Sequence, residues 1–355
     1  MNPITMARAI SLGVLAAVVA GSSGARSAAA DPVADFYKGK TVQIIIGAGM
    51  GGSYGLYAQL AARHIADKIP GRPTVVVQSM PGAGGLKALA YEYNVAQKDG
   101  SVLAVPHAEV LQETVLNEKA RFDAAKYGWI GRFVDVDLIG IALAKSGVTS
   151  LDVAKRRQVI VGSTGLRSVT GMVPVLFNRV AGTKFKIVVG YKGVDEMFLA
   201  QQKGEIEVVP ASWVIAKVLH AASFKDGSMT AIFSTALERT AELPNTPTIT
   251  EFGRDDDEKM FLRIYFAGGT VGRALATPPG VPAERVKALR AAFDAATGGN
   301  GFAADVGKRN ISINIMHGEE LAARIDKVMQ LTPAQIAKAR KIYADVLASV
   351  QDKGK

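Results

Sequence analysis

Short runs of β-branched and aliphatic residues alternate along this chain with stretches in which apolar residues recur at helical spacing. The first run, Thr41–Ile46, is bounded by glycine and predicts a buried strand. From Tyr54 onward the apolar positions follow the helical period, which predicts a helix. The loop between them, residues 47–52, contains four glycines, so its backbone N–H groups can approach a ligand closely. With the unpaired N–H groups that begin the helix, this loop is predicted to hold an anion.

The same order of strand, glycine turn and helix recurs after this unit. Thr74–Gln78 predicts a second strand, which leads through the turn PGAGG into the helical run Leu86–Ala96. Val102–Val105 predicts a third strand, and His107 follows where ligands collect in α/β sheets. Alternating strands and helices predict a doubly wound, mostly parallel sheet.

Trp129–Gly131 and Leu138–Ala144 predict further strands, after which a second lobe repeats this pattern around another small-residue turn, residues 162–168. Its predicted strands are Gln158–Val161, Phe185–Val189, Ile206–Val209, Thr230–Ser234 and a returning strand at Leu262–Phe266. Predicted helices are Val169–Val180, Val194–Lys203, Trp213–Ala222, Pro282–Ala296, Gly318–Met329 and Pro333–Val350.

The first 30 residues predict a targeting segment. Arg8 precedes an apolar stretch, Ile10–Ala20, and small residues follow up to Ala30. This is the pattern of a secretory signal peptide cleaved near Ala30. The apolar stretch is too short to cross a bilayer as a helix. We therefore expect export and a mature chain that begins at Asp31.

Composition narrows the function classes. The chain has 355 residues, no cysteine and a formal charge of +10. Cleavage of the signal peptide would remove the positive charges of Arg8 and Arg26. The absence of cysteine excludes disulfides, cysteine catalysis and thiolate metal sites. Basic residues are scattered, and no nucleic-acid motif occurs. A mild positive field either attracts acidic small molecules or only keeps the protein soluble, and both interpretations stay open.

The first glycine loop also matches a dinucleotide-binding pattern. Gly47, Gly49 and Gly52 fit G-x-G-x-x-G. That pattern needs an acidic residue at the end of the second strand, roughly 20 residues further on. Residues 78–80 are Gln, Ser and Met, so a nicotinamide cofactor is not expected.

A second match is to the serine nucleophile elbow. Gly51, Ser53 and Gly55 fit G-x-S-x-G, with His317 as a candidate base late in the chain. However, the turn follows the first strand, and no HGGG-type oxyanion motif is present. An exported serine hydrolase or esterase that uses Ser53 is therefore the alternative function rather than the first.

Six stretches carry a resemblance to a known family: IIIGAGMGGSYGLYAQLAA, SMPGAGG, DGSVLA, VGSTGLRS, VVGYKGVDEMFLAQQKGEIEVV and LPNTPTITEFG. In this order, from about Phe36 to about Met329, they resemble the solute-binding proteins of tripartite tricarboxylate transporters, the Bug/TctC family. The resemblance implies an α/β, two-lobed type II periplasmic binding fold, each lobe a mostly parallel sheet flanked by helices. Lobe 1 would comprise residues 31–136 and 263–355, and lobe 2 residues 137–262.

The family also implies a function. A periplasmic protein of this kind captures an organic acid between its lobes and delivers it to an inner-membrane permease. A dicarboxylate, a tricarboxylate or an aromatic carboxylate all remain open as ligands. We also expect a monomer without enzymatic activity, cofactor, metal or nucleic-acid partner.

By position, the two ligand loops would be Ala48–Tyr54 and Ser163–Ser168. The candidate ligand-binding residues are Ala48, Gly49, Gly51, Gly52, Ser53, Tyr54, His107, Ser163, Thr164, Gly165, Arg167, Ser168 and Tyr191. Gly55 replaces an aspartate that is common in the family near the start of the first helix. In some relatives that aspartate meets an amino group of the ligand, so an amino-acid ligand is not expected here.

Several of these residues have a second interpretation. Arg167 either pairs bidentately with a second ligand carboxylate or is a solvated surface arginine. His107 either contacts the ligand or is a structural histidine. The serines and threonine of the second loop also suit turns and helix caps. The acidic run at residues 255–258 predicts a solvated loop rather than a metal site, because consecutive carboxylates converge poorly on one ion.

Overall fold

A computed structural model describes residues 31–82, 85–166 and 168–352. The predicted signal segment and Arg167 lie outside the described residues. The described strands are β1 (Thr41–Ile46), β2 (Thr74–Ser79), β3 (Val102–Val105), β4 (Gly128–Val134), β5 (Leu138–Leu143), β6 (Val159–Ser163), β7 (Phe185–Val189), β8 (Val208–Ser212), β9 (Met229–Ser234), β10 (Arg273–Thr277) and β11 (Met316–His317).

Helices occupy most of the chain between these strands. They are α1 (Pro32–Tyr37), α2 (Ser53–Ile65), α3 (Leu86–Asn94), α4 (Val110–Leu116), α5 (Leu151–Arg156), α6 (Val169–Val180), α7 (Val194–Lys203), α8 (Trp213–Leu219), α9 (Ala221–Lys225), α10 (Asp256–Phe266), α11 (Gly268–Val271), α12 (Ala283–Thr297), α13 (Asn300–Lys308), α14 (Gly318–Met329) and α15 (Pro333–Asp352). Within the described ranges, none of these helices is long and apolar enough to cross a membrane.

The strands form two sheets. The first has the order β11-β4-β10-β3-β1-β2, and the second β7-β6-β8-β5-β9. Four of six strands in the first sheet and four of five in the second point the same way. The exceptions, β10 and β11 in the first sheet and β5 in the second, pair antiparallel with their neighbours. The expected α/β architecture of two mostly parallel sheets flanked by helices is confirmed.

Each sheet has its own hydrophobic core. Strand β1 lies between β3 and β2 in the first sheet, and Ile44–Ile46 are fully buried because helices cover both faces. Tyr57 and Leu60 of α2 pack against this sheet. In the second sheet the fully buried rings of Phe177 and Phe233 pack together, with centroids 4.5 Å apart.

The chain passes between the sheets at two adjacent crossovers. The first consists of residues 135–137, between the end of β4 and the start of β5. The second is the turn around α11, after which β10 returns to the first sheet. Val136 N donates to Gly269 O at 3.2 Å, so the crossovers lie side by side. Buried Arg132 supports them, because its Nη1 donates to Thr270 O at 2.9 Å.

The prediction of a returning strand at Leu262–Phe266 is wrong. These residues form the end of α10, in which Phe261, Leu262, Tyr265 and Phe266 are buried. That spacing is helical, and the acidic residues that precede it supply the N-terminal signal. The strand that returns to the first sheet is instead β10, which the apolar pattern did not predict.

The acidic run at residues 255–258 forms the start of α10 and not the solvated loop that the sequence predicts. Asp255 caps α10 by accepting from Glu258 N at 2.8 Å. Glu258 is only 2% exposed because two arginine side chains cover it. Arg254 donates to it at close range, and Arg179 Nε donates at 3.1 Å. Hydrogen bonding by Arg254 lowers the pKa of Glu258 to about 2.

Replacing Glu258 by glutamine is expected to destabilise the protein at pH 7 by about 2 kcal/mol, because two arginines lose their anionic partner. The depressed pKa means that this stabilisation is present above the unfolded pKa of about 4.5. The difference from wild type should therefore shrink as the pH falls from about 4.5 towards 2. Urea unfolding at several pH values measures it, and a difference that grows in acid would contradict the assignment.

Candidate functional site

The first glycine loop connects β1 to α2 at the carboxyl end of the first sheet. Gly52 is the N-cap of α2 and offers no side-chain cap, so the first N–H groups of this helix have no side-chain acceptor there. A Cβ on Gly49 or Gly51 would meet nothing within 4 Å, so the loop backbone borders open space. Ala48 O accepts a hydrogen bond from Ser79 Oγ at 2.8 Å, which holds the loop against β2.

Gly55 is glycine for a steric reason. A Cβ at this position would lie 2.1 Å from Met50 O, because the loop folds back against the first turn of α2. No side chain fits there. The family's aspartate therefore has no counterpart, and a group that could neutralise a ligand amine is missing at this position.

Ser53, the first residue of α2, is bound to an arginine that sequence reasoning missed. Arg273 donates to Ser53 Oγ from Nε at 3.0 Å and from Nη2 at 2.8 Å. Its Nη1 donates to Gly272 O at 3.1 Å. The guanidinium also lies over the ring of Tyr54, 3.8 Å from its centroid. Arg273 is thus clamped at the start of α2 and remains partly exposed.

Strand register explains why Arg273 reaches this place. It is the first residue of β10, which runs antiparallel to β3 and β4, and it pairs with Val134 at the end of β4. The start of β10 therefore lies where the neighbouring strands end. A charged residue that opens such a reversed strand arrives at the edge where ligands bind in α/β sheets.

His107 and Glu109 extend the same cluster from the end of β3. The ring of His107 stacks on Tyr54 with centroids 4.8 Å apart. Its Nδ1 contacts Glu109 Oε2, and both atoms are buried. A Cβ on Gly85 would lie 2.5 Å from the imidazole, so the backbone of Gly85 also packs against this ring. His107 is held on three sides, as a structural histidine would be.

Burial and charge set the ionisation of this cluster. Burial raises the pKa of Tyr54 to about 12, so its phenol keeps its proton and accepts from Ala108 N at 2.9 Å. Burial alone would raise the pKa of Glu109, but the hydrogen bond and charge of His107 outweigh it and lower this pKa. Glu109 is therefore a carboxylate at neutral pH. Its anion is engaged with His107 rather than paired directly with Arg273.

The second loop is a closed network of hydroxyl groups at the end of β6. Gly165 N donates to Ser163 Oγ at 3.1 Å, and Ser168 Oγ donates to Gly165 O at 2.7 Å. Thr170, which sequence reasoning missed, joins them: its Oγ1 lies 2.8 Å from Ser168 Oγ and accepts from Thr164 N at 3.2 Å. The described residues of this loop present neutral polar groups, and the N–H groups of residues 164 and 165 already have acceptors.

Tyr191 lies next to this loop, since its N–H donates to Ser163 O at 3.4 Å. The predicted residues thus form two groups, one at the end of each sheet. Ala48, Gly49, Gly51, Gly52, Ser53, Tyr54 and His107 lie in the first, and Ser163, Thr164, Gly165, Ser168 and Tyr191 in the second. Arg167 lies outside the described residues.

Both groups lie beside the crossovers. The register pairs Leu138 with Ser212, so the start of β5 meets the end of β8, as the start of β10 meets the end of β4. Segments outside the two sheets also touch there: Ser312 Oγ donates to the carbonyl oxygen of Val214 in α8 at 2.7 Å, and Val214 packs into the first core. The carboxyl edges of both sheets therefore flank the same hinge-like segment.

The serine hydrolase alternative gains no support from this geometry. His317, its proposed base, is exposed and pairs with Asp294 at 2.7 Å. Ser53 Oγ accepts two N–H groups from a guanidinium, and no described residue accepts its proton as a base would. Within the described part of the chain, no group of three or more potential metal-binding side chains occurs either.

Comparisons with solved structures support the fold. A scan against protein-family models finds no match, and neither does a search of curated proteins. A TctC solute-binding protein from Polaromonas, without ligand, aligns with a TM-score of 0.64 at 17% identity, over 87% of this chain and 99% of its own.

Two similar structures contain ligands. MatC from Rhodopseudomonas palustris with bound malate aligns with a TM-score of 0.54 at 19% identity, covering 85% of this chain and 98% of its own. Another R. palustris protein, with adipate, aligns with a TM-score of 0.55 at 19% identity, covering 88% and 97%. At these identities the likeness establishes a periplasmic-binding-protein fold for this chain, as predicted.

Proposed function

We propose that this chain is an exported, periplasmic solute-binding protein of the tripartite tricarboxylate type. It captures an organic acid between two lobes, residues 31–136 with 263–355 and residues 137–262, and delivers it to an inner-membrane permease. The observation that carries this proposal is the convergence of Ser53, Arg273 and the N-terminus of α2 beside the crossovers. A helix N-terminus and a guanidinium both favour an anion.

In this proposal the two loops have different tasks. The first supplies positive charge through Arg273 and the helix N-terminus, and the second supplies the neutral hydroxyl groups around Ser163 and Thr170. A ligand that bridges both loops makes its full set of contacts only when the lobes are closed. Because it then binds the closed form better than the open one, it shifts the equilibrium towards closure.

The ligand class follows from this charge. Malate and adipate, which two structural neighbours contain, are dicarboxylates of different length. A dicarboxylate is accordingly the first choice here, with tricarboxylates and aromatic acids next. Binding without chemistry agrees with the position of Ser53, which has a guanidinium beside it instead of a base.

The mature chain, residues 31–355, is expected to gain thermal stability from organic acids. At about 100 times its dissociation constant, a ligand stabilises the folded state by roughly 2.7 kcal/mol. A thermal-shift screen of dicarboxylates, tricarboxylates, aromatic acids, sugars and divalent cations measures this. Shifts from sugars or cations and none from acids would overturn the ligand class. Labelling of Ser53 by a fluorophosphonate probe would support the hydrolase instead.

A further inference from the structure

The guanidinium of Arg273 has unused donors. An arginine carries five N–H groups. Nε and Nη2 each use one on Ser53 Oγ, and Nη1 uses one on Gly272 O. One N–H on each terminal nitrogen therefore remains without an acceptor among the described residues. Two N–H groups on the terminal nitrogens are the donors with which arginine grips a carboxylate bidentately.

Ser53 is turned into a donor by the same contact. A hydroxyl oxygen has two lone pairs and one hydrogen. Both lone pairs of Ser53 Oγ receive N–H groups from Arg273, so any further partner must accept the hydroxyl hydrogen. Positive charge beside the oxygen makes that hydrogen a better donor. The pair thus presents donors only, which suits an acceptor such as a carboxylate.

The charge of Arg273 is also not neutralised directly. Arg179, Arg239 and Arg254 each lie within ion-pair distance of a carboxylate, whereas no described carboxylate lies within that distance of Arg273. Glu109 is near enough for the charges to interact, but its carboxylate contacts His107. A clamped, partly exposed guanidinium without a carboxylate partner retains its capacity to bind an anion.

We propose that Arg273 and Ser53 form a subsite that selects an ionised carboxylate over its amide at the first lobe. One carboxylate of the ligand binds to Arg273 and Ser53 in the first lobe, and the hydroxyl network around Thr170 contacts the other end of the ligand. This inference rests on the proposed function and adds Arg273 as the residue that distinguishes a charged ligand group from a neutral one. Tyr54 orients the guanidinium through stacking and does not itself carry the charge.

The test compares diacids with their diamides, which offer no carboxylate to Arg273. Isothermal titration of the mature chain with succinate, glutarate, adipate and malate, each beside its diamide, gives an acid-to-amide ratio of affinities. Wild type is expected to favour at least one diacid about 100-fold. In Arg273→Gln that ratio should fall to about 10-fold or less, and Arg273→Lys should lose about 10-fold in diacid affinity because the fork is lost. Ser53→Ala should lose several-fold in diacid affinity.

Arg285 offers a matched control. Its guanidinium also stacks on a ring, 3.7 Å from the centroid of Phe36, and its Nη1 donates to Asp99 O at 2.8 Å. It lies near the opposite edge of the sheet, where β1 and β3 begin. Arg285→Gln should leave the acid-to-amide ratio unchanged. If Arg273→Gln behaves like Arg285→Gln, the subsite is wrong while acid binding stands.

A footprint on wild-type protein covers the case in which Arg273 variants fail to fold. Phenylglyoxal modification followed by mass spectrometry reports each arginine separately. A diacid that binds should slow modification of Arg273 several-fold and leave Arg285 unaffected. Equal modification of Arg273 with and without that diacid would overturn the subsite. No binding of any acid to wild type would overturn the proposed function, and the subsite with it.

Discussion

Replacing Glu92 by methionine is expected to raise the free energy of unfolding at pH 8 by roughly 4 kcal/mol. Each unit by which the pKa of a carboxyl in the folded state exceeds its pKa in the unfolded state costs about 1.4 kcal/mol of stability at high pH. Glu92 lies in α3 and is fully buried. Neither of its carboxylate oxygens has a hydrogen-bond partner among the described residues. Burial raises the pKa of this carboxyl from 4.5 to about 8, so folding keeps a proton that the unfolded chain releases.

The sign of the pH dependence follows from this raised pKa. Below about 4.5 the carboxyl is protonated in both states, and Glu92 causes no pH-dependent loss. Between about 4.5 and 8 the unfolded state releases its proton, and wild-type stability falls as the pH rises. Methionine has a similar length and no charge, so the variant should lack this slope.

Urea unfolding from pH 4 to pH 8 measures the difference between Glu92→Met and wild type. That difference should be smallest at pH 4 and largest at pH 8. Glu238 is exposed, so Glu238→Met serves as the control and should change stability by less than about 0.5 kcal/mol at either pH. A difference that does not depend on pH would mean that Glu92 is ionised in the folded protein.

The hydrophobic pattern predicted several strands with the bounds that the structure shows, two of which border the first site. Thr41–Ile46, Val102–Val105 and Phe185–Val189 have the predicted bounds, because each is a short apolar run closed by turn residues. Local sequence is sufficient for such elements. It was insufficient at Leu262–Phe266, where an apolar run belongs to a longer helix whose start is marked by acidic residues.

Arg273 could not be placed from the sequence because its position is a tertiary property. Five residues, RALAT, give a weak strand signal, and the arginine looks like a surface residue. Only antiparallel pairing with β4, which lies about 140 residues earlier, brings the guanidinium to Ser53. The available signal was an arginine directly after a glycine-rich turn, GGTVGR, at the second crossover.

Replacing Gly272 by alanine is expected to cost roughly 3–5 kcal/mol of stability and to abolish acid binding. Gly272 ends the second crossover with φ 54° and ψ −118°, a combination that side chains do not tolerate. A Cβ there would lie 2.0 Å from Val134 O, at the end of β4. The backbone must therefore shift at the point where both crossovers meet.

That shift would also move the proposed subsite. Arg273 is the next residue, and its Nη1 donates to Gly272 O, so displacement of this peptide pulls the guanidinium away from Ser53. Gly204→Ala is the matched control, because Gly204 also has positive φ, 80°, but no atom within 4 Å of a Cβ. It should cost only about 1 kcal/mol and leave binding intact. Thermal unfolding and diacid titration of both variants measure the losses of stability and of diacid affinity. Equal losses in the two variants would show that backbone conformation alone is responsible. Losses confined to Gly272→Ala would show that the close packing of the second crossover against β4 is required.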